Sequence, residues 1–338
     1  MPKVTARDVA ELAGVSPATV SRALNGTASV SPQLMERIKE AAQELGYNRA
    51  EKKETGNSLI GVLAPRLSRH FYADIIEGIV DTAANAGYGV VICPPNYGKI
   101  TEYNSPPLFQ EGGIKLEGLI TMCRLRQEGW MSILSSQNIP IIQCCEYDEE
   151  LQYPSVAIDD FEAAYNATMY LINMGHKKLS MFNSTLKFNH ARRREDGFRS
   201  AMRDSGLEIR EDWVLHIGDS EYNLAMTAAQ ELFSRDEIPE AVFTVTDDYA
   251  AGVVNGAGKL GLNVPDDISV VGFNDTEVAL ITEPTLTTVH QPRYEMGSTA
   301  CNVLLRSIRN GALVANHIWI ESSLVVRNST KSRGPLSR

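Results

Sequence analysis

The sequence lacks the features that mark membrane and exported proteins. No apolar run approaches the roughly 20 residues that a membrane helix needs. The N-terminus, MPKVTARDVAEL, has no apolar core of the kind found in signal peptides. These absences predict a protein of the cytoplasm that does not associate with a membrane.

Cysteine is scarce and follows no spacing that would support a disulfide framework or a metal site. The five cysteines are scattered, and each lies in or beside an apolar run: Cys93, Cys123, Cys144, Cys145 and Cys301. Cysteines in such surroundings are commonly free thiols in a reducing compartment. We therefore expect buried free thiols, no metal and no cofactor.

Signatures of catalysis are also missing, since the chain has no G-x-S-x-G and no Walker A sequence. The run Gly256–Gly261, GAGKLG, fits the dinucleotide pattern G-x-G-x-x-G, but it falls at the end of a predicted helix rather than directly after a strand. His176, in MGHKK, begins a predicted strand and is more typical of a structural residue. The sequence therefore favours a protein that is not an enzyme.

Basic charge is in short supply overall, but it is unevenly distributed. The formal net charge of −10 argues against a protein that coats nucleic acid along its whole surface. Residues 1–53, however, carry eight Lys/Arg against six Asp/Glu, whereas the remaining chain carries 24 against 36. This distribution suits a small DNA-reading segment on an acidic body that does not itself bind DNA.

The first helix near the N-terminus is predicted from its cap and its apolar residues. Thr5 followed by Asp8 resembles a capping box, with Asp in place of the usual Glu. Gly14 permits a tight turn after the helix. An apolar stripe between the cap and the turn is formed by Val9, Ala10 and Leu12.

Two further helices follow in the first 48 residues. Ser16-Pro17 and Ser31-Pro32 each combine an N-cap residue with a proline at the first helical position. The third helix has apolar residues at i, i+3, i+4 and i+7, namely Ile38, Ala41, Ala42 and Leu45. Three short helices with a tight turn between the first two match the helix-turn-helix layout, whose second helix enters the DNA major groove. A small helical bundle without a ligand is the alternative that the pattern leaves open.

The residues of this segment resemble a known DNA-binding headpiece. DVAELAGVSPATVSRALN, followed by VSPQLMERIKEAAQELGY, is similar to the headpiece of the LacI/GalR family of transcriptional regulators across residues 4–47 without a gap. The resemblance implies that the second helix is the recognition helix and that the ligand is double-stranded operator DNA.

The same resemblance implies which residues touch DNA. Pro17 and Ala18 stand at the specificity positions, where proline has no side-chain donor and alanine offers only a methyl contact. Arg22, one turn on, can make a bidentate contact with O6 and N7 of guanine. The phosphate-contact positions fix the helix on the backbone without reading sequence. The implied DNA-binding set is Thr5, Ser16, Pro17, Ala18, Thr19, Ser21, Arg22 and Asn25.

Residues 49–57 form a polar linker that departs from the family pattern. The family usually has a longer segment that folds on DNA into a hinge helix, whose leucine wedges into the minor groove. This chain is shorter there and lacks both the usual proline after Tyr47 and an obvious wedging leucine, although Lys52 and Lys53 remain available for phosphate contact. A plain flexible tether is therefore an equal alternative, and it predicts a weaker kink at the operator centre.

From Leu59 onward, short apolar runs alternate with helical stretches, as in parallel sheets built from right-handed crossovers. About ten strands favour two doubly wound lobes with a ligand cleft outside the carboxyl ends of the strands. The predicted strands are 59–64, 90–93, 118–121, 141–144, 156–158, 178–182, 241–246 and 268–273, and the predicted helices are 71–86, 161–174, 192–205, 249–260 and one after Pro292.

The body also resembles the LacI/GalR family, in segments such as FTVTDDYAAG, GLNVPDDISVVGFNDTEVA and EPTLTTVHQPRYEMG. The implied fold class is an N-terminal all-α helix-turn-helix headpiece plus an α/β periplasmic-binding-protein-like core of two doubly wound lobes. Residues 94–115, with two proline pairs where a helix is usual, fit least. The expected domains are the headpiece 1–48, the linker 49–57, the core 58–330 (lobe 1 58–160 and 291–319, lobe 2 161–290 and 320–330) and a tail 331–338.

The resemblance places an effector in the interlobe cleft. The planar fork of Arg194 suits hydroxyls, carboxylates or phosphates, and Asp275 matches the family's acceptor of sugar-type hydroxyls. Without the family context, Arg194 is more typical of a solvated helix face, and Asp247-Asp248 and Asp275 are more typical of helix caps. The implied effector-binding set is Phe71, Tyr72, Phe188, His190, Arg194, Ser220, Thr246, Asp247, Asn274 and Asp275.

Together these patterns predict a sequence-specific transcriptional regulator, a repressor that binds a pseudo-palindromic operator as a homodimer. Two-fold pairing is expected because one headpiece contacts too few base pairs to find its site in a genome. The effector is expected to be a sugar, a sugar derivative or a nucleoside. The alternative is a solute-binding or enzymatic protein on the same two-lobe fold, without a role in transcription.

Overall fold

The computed structural model describes residues 6–24, 31–45, 58–65, 70–93, 114–123, 139–147, 153–218, 222–311 and 317–333. The chain divides into two compact units, Met1–Asn57 and Ser58–Arg338. Several predicted features lie outside the described residues: Thr5, Asn25, Ser220, the linker 49–57 and most of the segment 94–115. The side chains of Ala18, Ser21 and Arg22 are also outside the description.

The described part of the first unit contains three short helices, as predicted: α1 (Ala6–Ala13), α2 (Pro17–Leu24) and α3 (Pro32–Glu44). The Oγ of Ser16 accepts a hydrogen bond of 3.1 Å from the Thr19 N–H, and the Oγ of Ser31 accepts one of 3.3 Å from the Leu34 N–H. Both predicted N-caps are therefore confirmed, and each proline is the first residue of its helix.

The turn between α1 and α2 depends on a left-handed residue. Gly14 has φ +68°, a value that a residue with a Cβ rarely adopts. The guanidinium of Arg37, on α3, donates a 2.8 Å hydrogen bond to the carbonyl oxygen of Ala13. This bond satisfies one of the carbonyl groups that the end of α1 leaves unpaired and ties the turn to the third helix.

The core of the first unit corrects one detail of the predicted stripe. Leu12 is 47 % exposed, so its assignment to the buried face was wrong. Ala13 takes that place, one residue on along the helix. The buried residues are Val9, Ala10, Ala13, Val20, Ala23, Ile38 and Ala41.

Among the described residues, the second unit contains two six-stranded sheets, each with helices packed against it. Lobe 1 has the strand order β11-β5-β4-β3-β1-β2 and lobe 2 the order β12-β10-β9-β8-β6-β7. All pairs are parallel except β10 with β12, which is antiparallel. The strands of lobe 1 are β1 (Leu59–Leu63), β2 (Gly89–Cys93), β3 (Gly118–Thr121), β4 (Ile141–Cys144), β5 (Ser155–Ala157) and β11 (His317–Trp319), and those of lobe 2 are β6 (Leu179–Asn183), β7 (Val214–His216), β8 (Ala241–Thr244), β9 (Ser269–Asn274), β10 (Thr287–His290) and β12 (Ser323–Val325).

Helices cover both sheets. In lobe 1, α4 (His70–Asn85) packs against α10 (Arg293–Asn310), and in lobe 2 α5 packs against α6 and α7 against α8. The helices of lobe 2 are α5 (Asp160–Asn173), α6 (Asn189–Asp204), α7 (Tyr222–Phe233), α8 (Asp247–Lys259) and α9 (Glu277–Ile281). The chain passes between the sheets after β5, after β10 and after β11. The sequence prediction of two doubly wound lobes is confirmed.

Three smaller predictions can also be checked. Gly256 and Gly258 lie inside α8, so the G-x-G-x-x-G run has the wrong context for a dinucleotide. His176 is buried and its Nε2 lies 3.0 Å from the Lys331 carbonyl oxygen, as expected of a structural residue. All five cysteines are free, but only Cys123, Cys144 and Cys301 are fully buried, so the burial prediction was wrong for Cys93 and Cys145.

The last described residues of the chain are bound to lobe 2. Lys331 and Arg333, assigned from sequence to a tail, both hydrogen-bond to lobe 2 through their backbone N–H groups, to Ser269 and Met174 respectively.

Among the described residues, no helix combines the length and apolar composition that a membrane span requires.

Candidate functional site

Arg194 lies on α6 and is only 4 % exposed, so its alternative assignment to a solvated helix face was wrong. Its Nε donates a 2.8 Å hydrogen bond to Asp160 Oδ1, and its Nη1 donates one of 2.6 Å to the Val245 carbonyl oxygen. The guanidinium carbon lies 3.6 Å from the centroid of the Phe273 ring. The fork of Arg194 is thus occupied within lobe 2, and its contact with an effector stays a prediction.

Asp247 is a buried carboxylate that joins three elements of lobe 2. Its Oδ1 accepts a 2.6 Å hydrogen bond from the Thr288 hydroxyl, and its Oδ2 accepts bonds of 2.7 and 2.9 Å from the Thr276 N–H and hydroxyl. Thr246, just before it, caps α8 by accepting a hydrogen bond from the Tyr249 N–H. The cap of α8 is therefore Thr246, and the alternative of Asp247 as the cap was wrong. Burial raises the pKa of Asp247 to about 6, against the hydrogen bonds that favour its charged form.

We expect Asp247→Asn to remove a pH-dependent loss of stability. The pKa of Asp247 is about 6 in the folded protein against 3.8 when unperturbed. As pH rises from about 4 to 6, the unfolded state loses its proton first, which favours unfolding by up to about 3 kcal/mol. The amide of asparagine can keep both sets of bonds, because the Thr288 hydroxyl can accept instead of donate.

The measurement is urea unfolding of both proteins at pH 4 and at pH 7. The stability of Asp247→Asn relative to the wild type should rise between the two pH values by about 2–3 kcal/mol. The exposed Asp196, replaced by Asn, is the control and should show no such rise. An equal difference at both pH values would show that Asp247 titrates normally in the folded protein.

Asn274 and Asp275, at the carboxyl end of β9, have φ of +106° and +53°. Both carboxylate oxygens of Asp275 are paired, Oδ1 with Arg327 Nη2 at 2.6 Å and Oδ2 with His290 Nδ1 at 2.9 Å. The alternative of Asp275 as a cap was wrong, since the N-cap of α9 is Thr276. A carboxylate has about four acceptor positions, so Asp275 can still accept hydrogen bonds from a ligand.

Glu146 brings lobe 1 into contact with lobe 2. Its carboxylate, 5 % exposed, accepts hydrogen bonds from the Asn189 N–H at 2.6 Å and from the ring of His190, whose Nδ1 is 2.6 Å away. Burial alone would raise the pKa of Glu146, but the charge and hydrogen bond of His190 and the helix N–H groups outweigh it, so the pKa lies below its ordinary value. A residue that follows β4 in lobe 1 therefore caps α6 of lobe 2.

Two aromatic pairs and one buried unsatisfied donor are found among the predicted effector residues and their neighbours. The rings of Phe188 and His190 stack at 5.2 Å, and on lobe 1 Phe71 and Tyr72 meet edge to face at 5.2 Å. The Nδ2 of Asn189 is buried and has no hydrogen-bond partner among the described residues. Such a donor, beside a carboxylate and a ring pair, provides the mixture of polar and apolar groups that small-molecule sites use.

The comparisons with known proteins agree with this architecture. Residues 5–50 match the bacterial regulatory proteins of the lacI family, and residues 168–330 match the periplasmic binding protein-like domain. The catabolite control protein A of Priestia megaterium is 33 % identical over 337 residues, which cover 97 % of this chain and 99 % of that protein. The chain belongs to the LacI family of bacterial transcriptional regulators.

Other relatives and solved structures extend the comparison. The transcriptional repressor PurR of Vibrio campbellii is 31 % identical over 97 % of this chain and 98 % of its own length. The structure of the regulator CelR with cellobiose is 28 % identical, has a TM-score of 0.73, and covers 96 % of this chain and 99 % of that one. Catabolite control protein A of Lactococcus lactis is 25 % identical with a TM-score of 0.74, over 81 % and 100 %. These relatives are transcriptional regulators and not enzymes.

The sequence indicated residues of lobe 2 but not the partners that hold them. Arg194, Thr246, Asp247, Asn274 and Asp275 all lie in lobe 2, and their contact with an effector stays a prediction. The residues that the sequence did not indicate contact Arg194 or Asp275 from other elements, or bridge the lobes. An acidic residue two positions after the buried run IIQC was the available signal for one of them. The missed residues are Glu146, Asp160, His290 and Arg327.

Proposed function

We propose that this LacI-family regulator is a cytoplasmic repressor that binds a pseudo-palindromic operator as a homodimer and responds to a small molecule between its lobes. The observation that carries the proposal is the first unit, where α1, Gly14 and an N-capped α2 reproduce the helix-turn-helix layout on residues that match the lacI family. The acidic second unit then supplies dimerisation and control rather than DNA contact.

Specific reading of DNA is assigned to Arg22, because Pro17 and Ala18 have no polar side-chain group to offer a base. We expect Arg22→Ala to lose its preference at one base pair in each half-site, where a bidentate contact with guanine contributes about 1–3 kcal/mol. The measurement is selection of operator sequences from a random library with the full chain, followed by binding titrations on every single-base variant of the selected site.

The matched control is Thr19→Ala, since Thr19 stands at a phosphate-contact position. It should weaken binding to all sequences about equally and leave the base preferences unchanged. If Arg22→Ala kept full discrimination at every position of the half-site, the assignment of Arg22 as the reader would be wrong. If the wild-type chain selected no sequence at all, the proposal of a specific operator would fail.

The effector is proposed to be a sugar, a sugar derivative or a nucleoside. The site offers carboxylates at Glu146 and Asp275, a buried amide donor at Asn189 and ring surfaces at Phe71 and Phe188. Hydroxyl-rich ligands with an apolar face match this combination, and the CelR relative was solved with cellobiose. A thermal-shift screen of the full chain against sugars, sugar phosphates and nucleosides tests the class. A screen in which none of them raises the melting temperature would contradict it.

The proposed homodimer requires a surface that a second copy can cover. On the short helix α9 of lobe 2, Leu280 is 57 % and Ile281 74 % exposed, beside α8. Exposed neighbouring apolar residues of this kind mark interaction sites. A second copy is the partner that a two-fold operator demands.

We expect Ile281→Glu to convert the dimer into a monomer at micromolar concentration, because the dimer would bury the added charge without a partner. Sedimentation velocity of the full chain measures the change. Val326→Glu, at an equally apolar and 57 % exposed position elsewhere on lobe 2, is the control and should remain dimeric. A dimer unaffected by the Ile281 change would place the interface elsewhere.

A further inference from the structure

Backbone strain in the described part of the chain is concentrated where the two lobes touch. Residues other than glycine with φ in the left-handed region are Cys145, Asn274 and Asp275. Cys145 precedes Glu146, whose carboxylate reaches α6 of the other lobe. Non-glycine residues keep such conformations only where the surrounding structure holds them there. The contacts that hold Asn274 and Asp275 therefore matter.

Arg293, the first residue of α10 in lobe 1, reaches across to this strained turn of lobe 2. Its Nη1 donates to the carbonyl oxygens of Asn274 and Asp275, the second at 3.2 Å. The side chain is only 11 % exposed. The guanidinium thus binds the backbone of two consecutive residues with left-handed φ values, and it does so from the other lobe.

The opposite edge of the same guanidinium is held by lobe 1. The Nε and Nη2 of Arg293 lie 2.8 and 2.6 Å from Oδ2 of Asp74, on the first turns of α4. Arginine carries five N–H donors in a rigid fork, so one planar group can serve both edges at once. Besides the contact of Glu146 with α6, His70 lies 3.9 Å from Glu277 across the lobes, but this pair joins two exposed side chains and is weak by comparison.

The strained turn also decides where Asp275 points. With its carbonyl oxygen turned to Arg293, the carboxylate of Asp275 faces Arg327 and His290 of its own lobe. A change in the angle between the lobes would break either the contact of Arg293 with Asp74 or its contact with the two carbonyl oxygens. In the second case the turn would lose a partner that holds its left-handed residues.

We propose that Arg293 is a positioning residue that couples α4 of lobe 1 to the Asn274–Asp275 turn of lobe 2. Because of this coupling, the orientation of the Asp275 carboxylate depends on the contact between the lobes. The inference rests on the proposed function, in which Asp275 receives the effector. Through this coupling, a ligand that engages Asp275 favours one lobe arrangement over another to the extent that it binds that arrangement more tightly. Asp74 anchors Arg293 and does not itself touch the turn.

The test is hydrogen exchange of the full-length protein, followed by mass spectrometry of peptides that cover 272–278. Arg293→Gln should raise the exchange rate of the turn amides by about tenfold or more, since hydrogen bonds from a charged group are lost. Asp74→Asn should raise the same rates by about threefold or more. The Asp74 result is decisive, because a change on lobe 1 can alter exchange in the turn of lobe 2 only through the Arg293 guanidinium that contacts both.

The matched control is Asp81→Asn on the same helix, where the carboxylate accepts a 3.1 Å hydrogen bond from the Tyr294 hydroxyl within lobe 1. This variant should leave exchange in the turn unchanged. If Asp74→Asn and Asp81→Asn behaved alike, or if Arg293→Gln folded and left the turn protected, the coupling would be refuted. Urea unfolding separates a local change in the turn from a global loss of stability.

The sugar and nucleoside screen on the wild type distinguishes failure of the coupling from failure of the proposed function. Accelerated exchange in both variants supports the coupling even where no compound of the screen binds, and in that case only the effector class fails. Unchanged exchange in both variants overturns the coupling even where a sugar raises the melting temperature of the wild type.

Discussion

Arg194→Met is expected to lower the free energy of unfolding by about 3–5 kcal/mol, because it leaves a buried carboxylate without its partner. Asp160 is 4 % exposed, and its Oδ1 lies 2.7 Å from Arg194 Nη2. Methionine can fill part of the volume of the arginine side chain but offers neither a guanidinium over the Phe273 ring nor a donor to Asp160 or to the Val245 carbonyl oxygen. The position of Asp160 in the first turn of α5 offsets part of the loss, since a helix N-terminus favours negative charge.

Urea unfolding at pH 7 measures this loss, with Arg192→Met as the matched control. Arg192 is exposed on the same helix, and its Nη1 donates to the carbonyl oxygens of Leu186 and Lys187, so its replacement should cost no more than about 1 kcal/mol. The double variant Arg194→Met with Asp160→Leu should recover much of the stability, because an apolar pair can replace a buried ion pair. A stable Arg194→Met protein that no longer binds any effector would show that the residue serves the ligand alone.

The case of Arg194 shows what sequence can and cannot predict about this site. The predicted helix 192–205 includes Arg194, and the residue does lie on a helix, α6. Its partner Asp160 is 34 residues away on another helix, and Phe273 comes from a strand still farther along the chain. No local periodicity links these three residues. Neither of the two sequence interpretations of Arg194, an effector contact or a solvated helix face, therefore included the buried ion pair.

The fold was predictable where buried elements leave a recognisable apolar pattern in the sequence. Central strands are buried on both faces and read as continuous apolar runs, which is why β3 (GLIT) and β4 (IIQC) were found with their exact ends. The strands β11 and β12 have three residues each and include exposed positions, so they carry no such run. They were missed, as were β7, β10 and the helices α7 and α9.

The headpiece was predictable for a different reason, since capping residues and glycine turns act locally. The predicted N-caps at Ser16 and Ser31 and the predicted glycine turn at Gly14 are all present in the structure. Leu12 marks the limit of this reasoning. An apolar residue in a short helix can fall on either side of the buried stripe, and the packing of α2 and α3 against α1 selects Ala13 instead.

Gly297→Ala is expected to destabilise lobe 1 by about 3 kcal/mol or more, at the upper end of the range for overpacking. A Cβ on Gly297 of α10 would stand 2.0 Å from the carbonyl oxygen of Ile75 on α4. The approach is mutual, because a Cβ on Gly78 of α4 would stand 2.2 Å from the carbonyl oxygen of Tyr294. Both obstacles are helix backbone, so neither can be relieved by a side-chain rotation, and the two helices must separate.

Gly258→Ala, in α8 of lobe 2, is the matched control, since a Cβ there meets nothing within 4 Å. Alanine favours a helix over glycine by up to about 1 kcal/mol, so this variant should unfold at a higher urea concentration while Gly297→Ala unfolds at a lower one. Opposite signs from the same substitution would show that close contact of α4 with α10, and not glycine as such, is what Gly297 provides. Equal shifts would refute that contact. Since these helices carry Asp74 and Arg293, forcing them apart should also free the Asn274–Asp275 turn, which exchange in Gly297→Ala would report.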